Sequence, residues 1–214
     1  MYNTHMIKAV IFDVDGVLVN SHKANLVFYH ALLEEAGYPE ITDDDIRANY
    51  HLSSLHAIEK LTKSTDQNEI KRIWELGHEP RFRKNNLLEF PEKLEEILEE
   101  LHKKYRLAIV TSRIRLGMDS IFGIKQIEHL FDAVITFEDY KNTKPHPEPL
   151  LVALKQLGIT ANEAIYIGDS STDIEAAKAA GMKSVFLSTK PHEDAHANIT
   201  EFSHLTEAVA KLAT

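Results

Sequence analysis

Four aspartates of this 214-residue chain stand in two short patterns, Asp13-Val14-Asp15-Gly16 and Gly168-Asp169-Ser170-Ser171-Thr172-Asp173, and each pattern directly follows an apolar run. Two further runs end in Thr111-Ser112-Arg113 and in a stretch that leads through Glu138-Asp139 to Lys144-Pro145. If these runs are neighbouring strands, the four carboxylates meet at one edge. Like charges so close raise each other's pKa unless cations share the space. A hard divalent ion together with Lys144 would balance them. Magnesium is the natural candidate, because it prefers carboxylate and water oxygens and is commonly held by one or two carboxylates plus a substrate phosphate. The chain has no cysteine, which excludes a disulfide framework, a thiolate metal site and a cysteine nucleophile. Neither GxGxxG nor GxxxxGK[ST] occurs, so nucleotide binding by a Gly-rich phosphate loop is not supported.

The elements that must position these residues are legible from periodicity. Five short apolar runs, Ala9 to Phe12, Leu107 to Val110, Ala133 to Ile135, Ala164 to Ile167 and Ser184 to Leu187, read as buried strands. Between them lie apolar residues at helical spacing, such as Leu94, Ile97, Leu98 and Leu101, and Leu150, Leu151, Leu154 and Leu157. The alternation predicts an α/β fold, a Rossmann-like parallel sheet with helices on both faces. Pro91 is expected to open the helix that ends near Tyr105, and Gly158 and Gly181 to close the helices after Pro149 and Ser170. In such a sheet ligands bind beyond the carboxyl ends of the strands, where all four patterns fall.

The alternation breaks once. From Asn20 to Phe90 only helical patterns occur, Ala24 to Ala36, Ser54 to Leu61 and Glu69 to Leu76, with Thr42 before Asp43 to Asp45 as a further helix start. The expected organisation is a core of residues 1–20 and 90–214 carrying an inserted all-helical cap at 21–89. Met1 to His5 precede a second methionine, Met6, and are given no function. The net charge of −9 argues against a nucleic-acid surface. No basic start precedes an apolar stretch and no apolar run approaches about 18 residues, so a cytoplasmic protein without a membrane anchor is expected. The oligomeric state is not legible.

Taken in order, Asp13-Val14-Asp15-Gly16-Val17, Thr111, Lys144-Pro145 and Gly168-Asp169 through Asp173 resemble the four motifs of the haloacid dehalogenase superfamily, in its phosphatase branch. The likeness runs from about Met6 to Leu187, and Lys144-Pro145-His146-Pro147-Glu148-Pro149 is similar to the KPxP stretch of the members with a small helical cap after the first motif. Taken singly, each pattern could be a turn, a helix cap or a surface loop. Four of them at strand ends in this order point to function instead.

The resemblance implies a magnesium-dependent phosphatase acting on a small phosphorylated substrate. Asp13 would be the nucleophile that forms an aspartyl-phosphate, and Asp15 the proton donor and acceptor. Thr111, Ser112, Arg113 and Lys144 would contact the substrate, with Thr111 and Lys144 also counted as catalytic because fixed electrostatics dominate phosphoryl transfer. Mg2+ would be held by a carboxylate oxygen of Asp13, the backbone carbonyl of Asp15 and Asp169, while Asp173 orients that shell. Gly16 would let the chain turn sharply so that Asp15 faces the site, and the cap would close over the substrate. The resemblance leaves phosphoglycolate, pyrophosphate, sugar phosphates and nucleoside monophosphates open as substrates. It also leaves a β-phosphoglucomutase-like mutase as an alternative, weakened because Asn25 stands where those relatives carry histidine. A catalytically silent partner-binding domain ranks lower, since the nucleophile and the proton-transfer residue are both present. Arg47, His51 and Arg113 are further candidates for the leaving group, and His22 could line the entrance.

Overall fold

A run such as Ala9–Phe12, apolar on both faces, can form only the interior of a sheet covered by helices on either side. In the computed structural model this run is β1, fully buried and hydrogen-bonded to a parallel neighbour on each edge. The structure describes residues 6–50 and 52–214; Met1–His5 and His51 lie outside them. The other strands are β2 (Arg106–Val110), β3 (Ala133–Ile135), β4 (Ala164–Gly168), β5 (Lys183–Leu187) and β6 (Ala197–Ile199). All pair in parallel in the order β3-β2-β1-β4-β5-β6. Successive crossovers run one way from β1 through β2 to β3 and the other way from β4 to β6. Strand order therefore reverses at β1, and the crevice beyond its carboxyl end, between β2 and β4, is where such sheets bind ligands.

The chain separates into two compact units, one of residues 1–19 with 90–214 and one of residues 20–89. The first holds the sheet with α5 (Leu94–His102), α6 (Arg115–Ile124), α7 (Glu148–Leu157), α8 (Ser171–Ala180) and α9 (Leu205–Leu212). Leu94, Ile97, Leu98 and Leu101 form the buried stripe of α5, as their spacing requires. Helix α7 ends at Gly158 and α8 at Gly181, both left-handed, as expected of a residue without a Cβ. One core of this unit joins Ile11 of β1, Val110 of β2 and Tyr166 of β4 to Leu150, Ala153 and Leu154 of α7 and Ala176 and Ala177 of α8.

The second unit is helical: α1 (His22–Glu35), α2 (Asp43–Ala48), α3 (Ser54–Thr62) and α4 (Gln67–Leu76). Its core is built from Leu32 and Leu33, Ile46, Ala57, Ile58 and Leu61, and Ile70 and Ile73. The expected start at Thr42 is a full capping box, with the Asp45 amide donating to the Thr42 hydroxyl and the Thr42 amide to the Asp45 carboxylate. Asn20 and Glu89 bridge the two ends of the insertion in antiparallel fashion.

One expectation is corrected and one strand is added. Pro91 does not open α5, which begins at Leu94 after Lys93 in the left-handed region at φ 56°. Strand β6 was not anticipated because Ala197-Asn198-Ile199 is too short and too polar to read as a run; it adds to the edge of the sheet through β5 alone.

Candidate active site

Asp13 is the first residue past β1, and its amide still donates to the Ile167 carbonyl at 2.9 Å, so the β1–β4 ladder fixes its backbone. Beyond it the chain turns tightly: the amides of Leu18 and Val19 donate to the Val14 carbonyl and the Gly16 amide to the Val19 carbonyl. The turn needs φ +76° at Gly16, and a Cβ there would lie 1.9 Å from Asp169 Oδ2. No residue but glycine fits between the turn and the Asp169 carboxylate. Gly168 does the same for the other pair, since a Cβ there would lie 2.3 Å from that of Asp173.

The carboxylates converge with Lys144, which is buried. Lys144 Nζ stands 2.6 Å from Asp173 Oδ1 and 3.0 Å from Asp13 Oδ1, and donates to the Tyr166 hydroxyl at 3.1 Å. Burial works against the lysine's charge, but Asp13 and Asp173 outweigh it and push its pKa well above the ordinary value. Asp173 is equally well held. Its Oδ1 accepts from Lys144 and Tyr166, and its Oδ2 accepts the Ser170 amide at 3.1 Å and the Ser170 hydroxyl at 2.6 Å in the capping box of α8. Burial raises its pKa, yet the Lys144 charge and these hydrogen bonds prevail and hold it below the usual carboxylate range.

Asp13 and Asp169 differ. Burial pushes Asp13 up to about 7, with Lys144 opposing and Asp173 and Asp15 adding to the rise. Burial and the neighbouring Asp13 push Asp169 up to about 8, and among the described residues no hydrogen bond reaches its carboxylate. Oxygens of Asp13, Asp169 and Asp173 come within 4.8 Å of one another. The oxygens of Asp173 are already taken by four protein donors, so the carboxylates left to meet a metal ion are Asp169 and Asp13, of which only Asp13 has a cation, Lys144, beside it. Among Asp13, Asp15, Asp169 and Asp173, four carboxylates face the two cations Lys144 and Arg113, a deficit that one divalent ion removes. The donor set, hard oxygens without sulfur or imidazole, suits Mg2+.

Asp15 is gripped by Arg113, whose Nε and Nη2 donate to its two oxygens at 2.7 and 2.6 Å, the two-pronged geometry that guanidinium and carboxylate favour. The guanidinium is carried there by the turn after β2, where the Arg113 amide donates to Thr111 Oγ1 at 3.1 Å. Thr111 is fully buried; its amide continues the ladder to the Ile135 carbonyl, and its own carbonyl accepts the Tyr140 hydroxyl at 2.9 Å. Ser112, half-buried, lies between Thr111 and Arg113 in the same turn.

The sheet unit thus brings together Asp13, Asp15, Thr111, Ser112, Arg113, Lys144, Asp169 and Asp173. Glu138 and Asp139 are absorbed locally: Glu138 accepts the Arg115 amide, and Asp139 caps its own turn through Thr136. In the helical unit Arg47 pairs with Asp43 at 3.2 Å on exposed α2. The His22 ring lies 4.8 Å from that of Tyr50, whose hydroxyl donates to the His22 carbonyl. Asn25 donates to the hydroxyl of Ser21, the residue just before α1. Tyr166 was not anticipated. Its only signal in the sequence is a hydroxyl-bearing side chain inside the otherwise apolar Ala164-Ile165-Tyr166-Ile167.

Residues 10–187 match the family model of haloacid dehalogenase-like hydrolases, which covers most of the chain and all four motifs. The chain belongs to that family. It is therefore an enzyme, a hydrolase, as the motifs implied. A pyrophosphatase PpaX of Bacillus cereus is 31% identical over 185 residues, covering 85% of this chain and 83% of its own. Among solved structures, a HAD-superfamily hydrolase of subfamily IA from Geobacter sulfurreducens shares 29% identity at a TM-score of 0.70, over 94% of this chain and 95% of its own. A β-phosphoglucomutase from Clostridium difficile, at 21% identity and a TM-score of 0.83 over 97% of each chain, shares the fold. Among the described residues no helix is long and apolar enough to cross a membrane.

Proposed function

We propose that this hydrolase is a magnesium-dependent phosphatase of small phosphorylated metabolites, working through an aspartyl-phosphate on Asp13. The observation that carries the reading is the contrast within the carboxylate cluster. Asp173 is saturated by protein donors, whereas Asp13 is buried and Asp169 half-buried, and burial pushes both carboxyls up at the strand-order reversal. Mg2+ would be held by Asp13, Asp169 and the Asp15 carbonyl, and when bound it would keep the two carboxylates ionised and offset charge on a phosphoryl group.

The remaining work falls to the chain. An Asp13 carboxylate oxygen attacks phosphorus as the bond to the leaving oxygen breaks, and the leaving oxygen takes a proton from Asp15. A water then gives its proton back to Asp15 and attacks the phosphorus of the aspartyl-phosphate. The P–O bond to Asp13 breaks, phosphate departs and both aspartates are restored. Lys144 offsets charge on Asp13 and on the phosphoryl oxygens, and Thr111 Oγ donates to one of those oxygens. Arg113 holds Asp15 through both carboxylate oxygens and so orients the proton-transfer group. A cysteine-free chain suits a reducing, cytoplasmic setting. The similarity to a pyrophosphatase supports a phosphoester or anhydride as substrate.

The test is phosphate release from pyrophosphate and a panel of small phosphoesters, with and without Mg2+, for the parent and Asp13→Asn. Turnover that needs Mg2+ and vanishes in the variant is expected. Near-normal activity in Asp13→Asn, or full activity in a chelator, would overturn the proposal; isomerisation of a phosphosugar without phosphate release would make the enzyme a mutase.

A further inference from the structure

We propose that Tyr166 is a positioning residue that aims the Lys144 ammonium at Asp13, a role that rests on the phosphatase reading above. Tyr166 sits inside β4, fully buried, in the core shared with α7 and α8. A hydroxyl there must be hydrogen-bonded or it destabilises the fold. Phenylalanine would fill the same space without that cost, so the hydroxyl calls for an explanation beyond packing.

The hydrogen-bond count supplies it. A lysine ammonium has three N–H donors and no acceptor. Here two go to Asp173 Oδ1 at 2.6 Å and the Tyr166 oxygen at 3.1 Å, and the ammonium so held stands 3.0 Å from Asp13 Oδ1 as an ion pair. Tyr166 has one proton to give. It lies 2.9 Å from Asp173 Oδ1 and 3.4 Å from the Val110 carbonyl, so Asp173 is the nearer acceptor. Burial keeps the phenol protonated, its pKa well above the usual value. Lys144, Asp173 and Tyr166 therefore close a three-membered ring. Two of the N–H bonds are fixed by it, and they hold the ammonium in ion-pair contact with Asp13 Oδ1.

Without the phenol oxygen, one ammonium N–H in a buried site loses its acceptor and only Asp173 and Asp13 compete for the group. The 2.6 Å contact to Asp173 is the shorter, so the ammonium turns toward Asp173 and away from Asp13. The aim on Asp13 matters most when charge shifts from Asp13 to the phosphoryl group, which is a demand on kcat more than on substrate binding.

Tyr166→Phe should lower kcat roughly ten- to a hundredfold, the range seen when a partner of an active-site group is removed, with KM changing less than about twofold. In a Lys144→Met background the same change should have no further effect on kcat, because the group it positions is gone. A merely structural tyrosine would instead lower thermal stability and the active fraction, leaving kcat per active site and its additivity untouched. A second readout does not need turnover. The 1H–15N spectrum of the lysine ammonium groups should show a Lys144 signal protected from exchange in the parent, absent in Lys144→Met and broadened or shifted in Tyr166→Phe. If Tyr166→Phe does not fold, 3-fluorotyrosine at the same position, a weaker acceptor, should lower kcat in the same direction. An unchanged ammonium signal, or kcat within about twofold of the parent in the folded variant, would overturn the proposal. Absence of phosphatase activity in the parent would sink the functional reading while the ammonium spectrum still decides where Tyr166 aims the lysine.

Discussion

Replacing Lys144 by methionine removes one charge from a buried group of three. Its Nζ joins Asp13 and Asp173, both buried, at 3.0 and 2.6 Å. Methionine fills much the same volume, so the loss is electrostatic: two buried carboxylates lose their cation. Breaking a buried ion pair from one side typically costs about 3–5 kcal/mol, because an uncompensated charge is left behind. For a chain of this size each kcal/mol lowers Tm by roughly 2–4 °C, so a fall of roughly 6–20 °C is expected near neutral pH without added metal. The pH dependence has a definite sign. Lys144 holds Asp173 below its ordinary pKa, so its contribution is present above that ordinary value and fades as pH falls through the depressed one. The difference in Tm between parent and variant should therefore be largest near about pH 8 and shrink toward about pH 4, where the orphaned carboxyls protonate. Scanning calorimetry of both proteins across that range is the assay. A variant within about 2 °C of the parent at neutral pH, or a difference that grows on acidification, would refute the claim that Lys144 neutralises this cluster.

Two further outcomes follow from the same geometry. Gly16→Ala would put a Cβ 1.9 Å from Asp169 Oδ2 at φ +76° and force that carboxylate aside; calorimetric titration should show Mg2+ affinity falling about ten- to a hundredfold, and unchanged affinity would mean that Asp169 is not a ligand. Because Asp13 and Asp169 stand at about 7 and about 8 without metal, Mg2+ must displace protons from them. Its affinity should therefore fall as pH drops from about 8 to about 6, with proton release visible as a buffer-dependent binding enthalpy; a pH-independent affinity would contradict the assignment.

What the sequence made legible were residues tied to strand ends. Asp13, Thr111 and Asp169 each follow an apolar run, so locating the runs located the residues, and strand order then made them neighbours. Gly16 was legible for a related reason: a glycine after a strand marks a turn that other residues strain to make, here at φ +76°. What stayed hidden depends on pairing across long separations. Nothing in the sequence says that Arg113 spends its fork on Asp15, 98 residues away, or that a tyrosine inside β4 meets a lysine 22 residues before it. Strand β6 was hidden for a different reason: a three-residue edge strand buries too little to need an apolar run.

The central claim is a covalent bond between phosphorus and Asp13, and borohydride trapping addresses it directly. An acyl phosphate is reduced by borohydride to the alcohol, so an aspartyl-phosphate becomes homoserine. Parent enzyme quenched during turnover with Mg2+ and substrate should yield homoserine at position 13 and nowhere else, and none when either Mg2+ or substrate is left out. Active enzyme that releases phosphate while position 13 remains aspartate after reduction, or homoserine at another carboxylate, would contradict it.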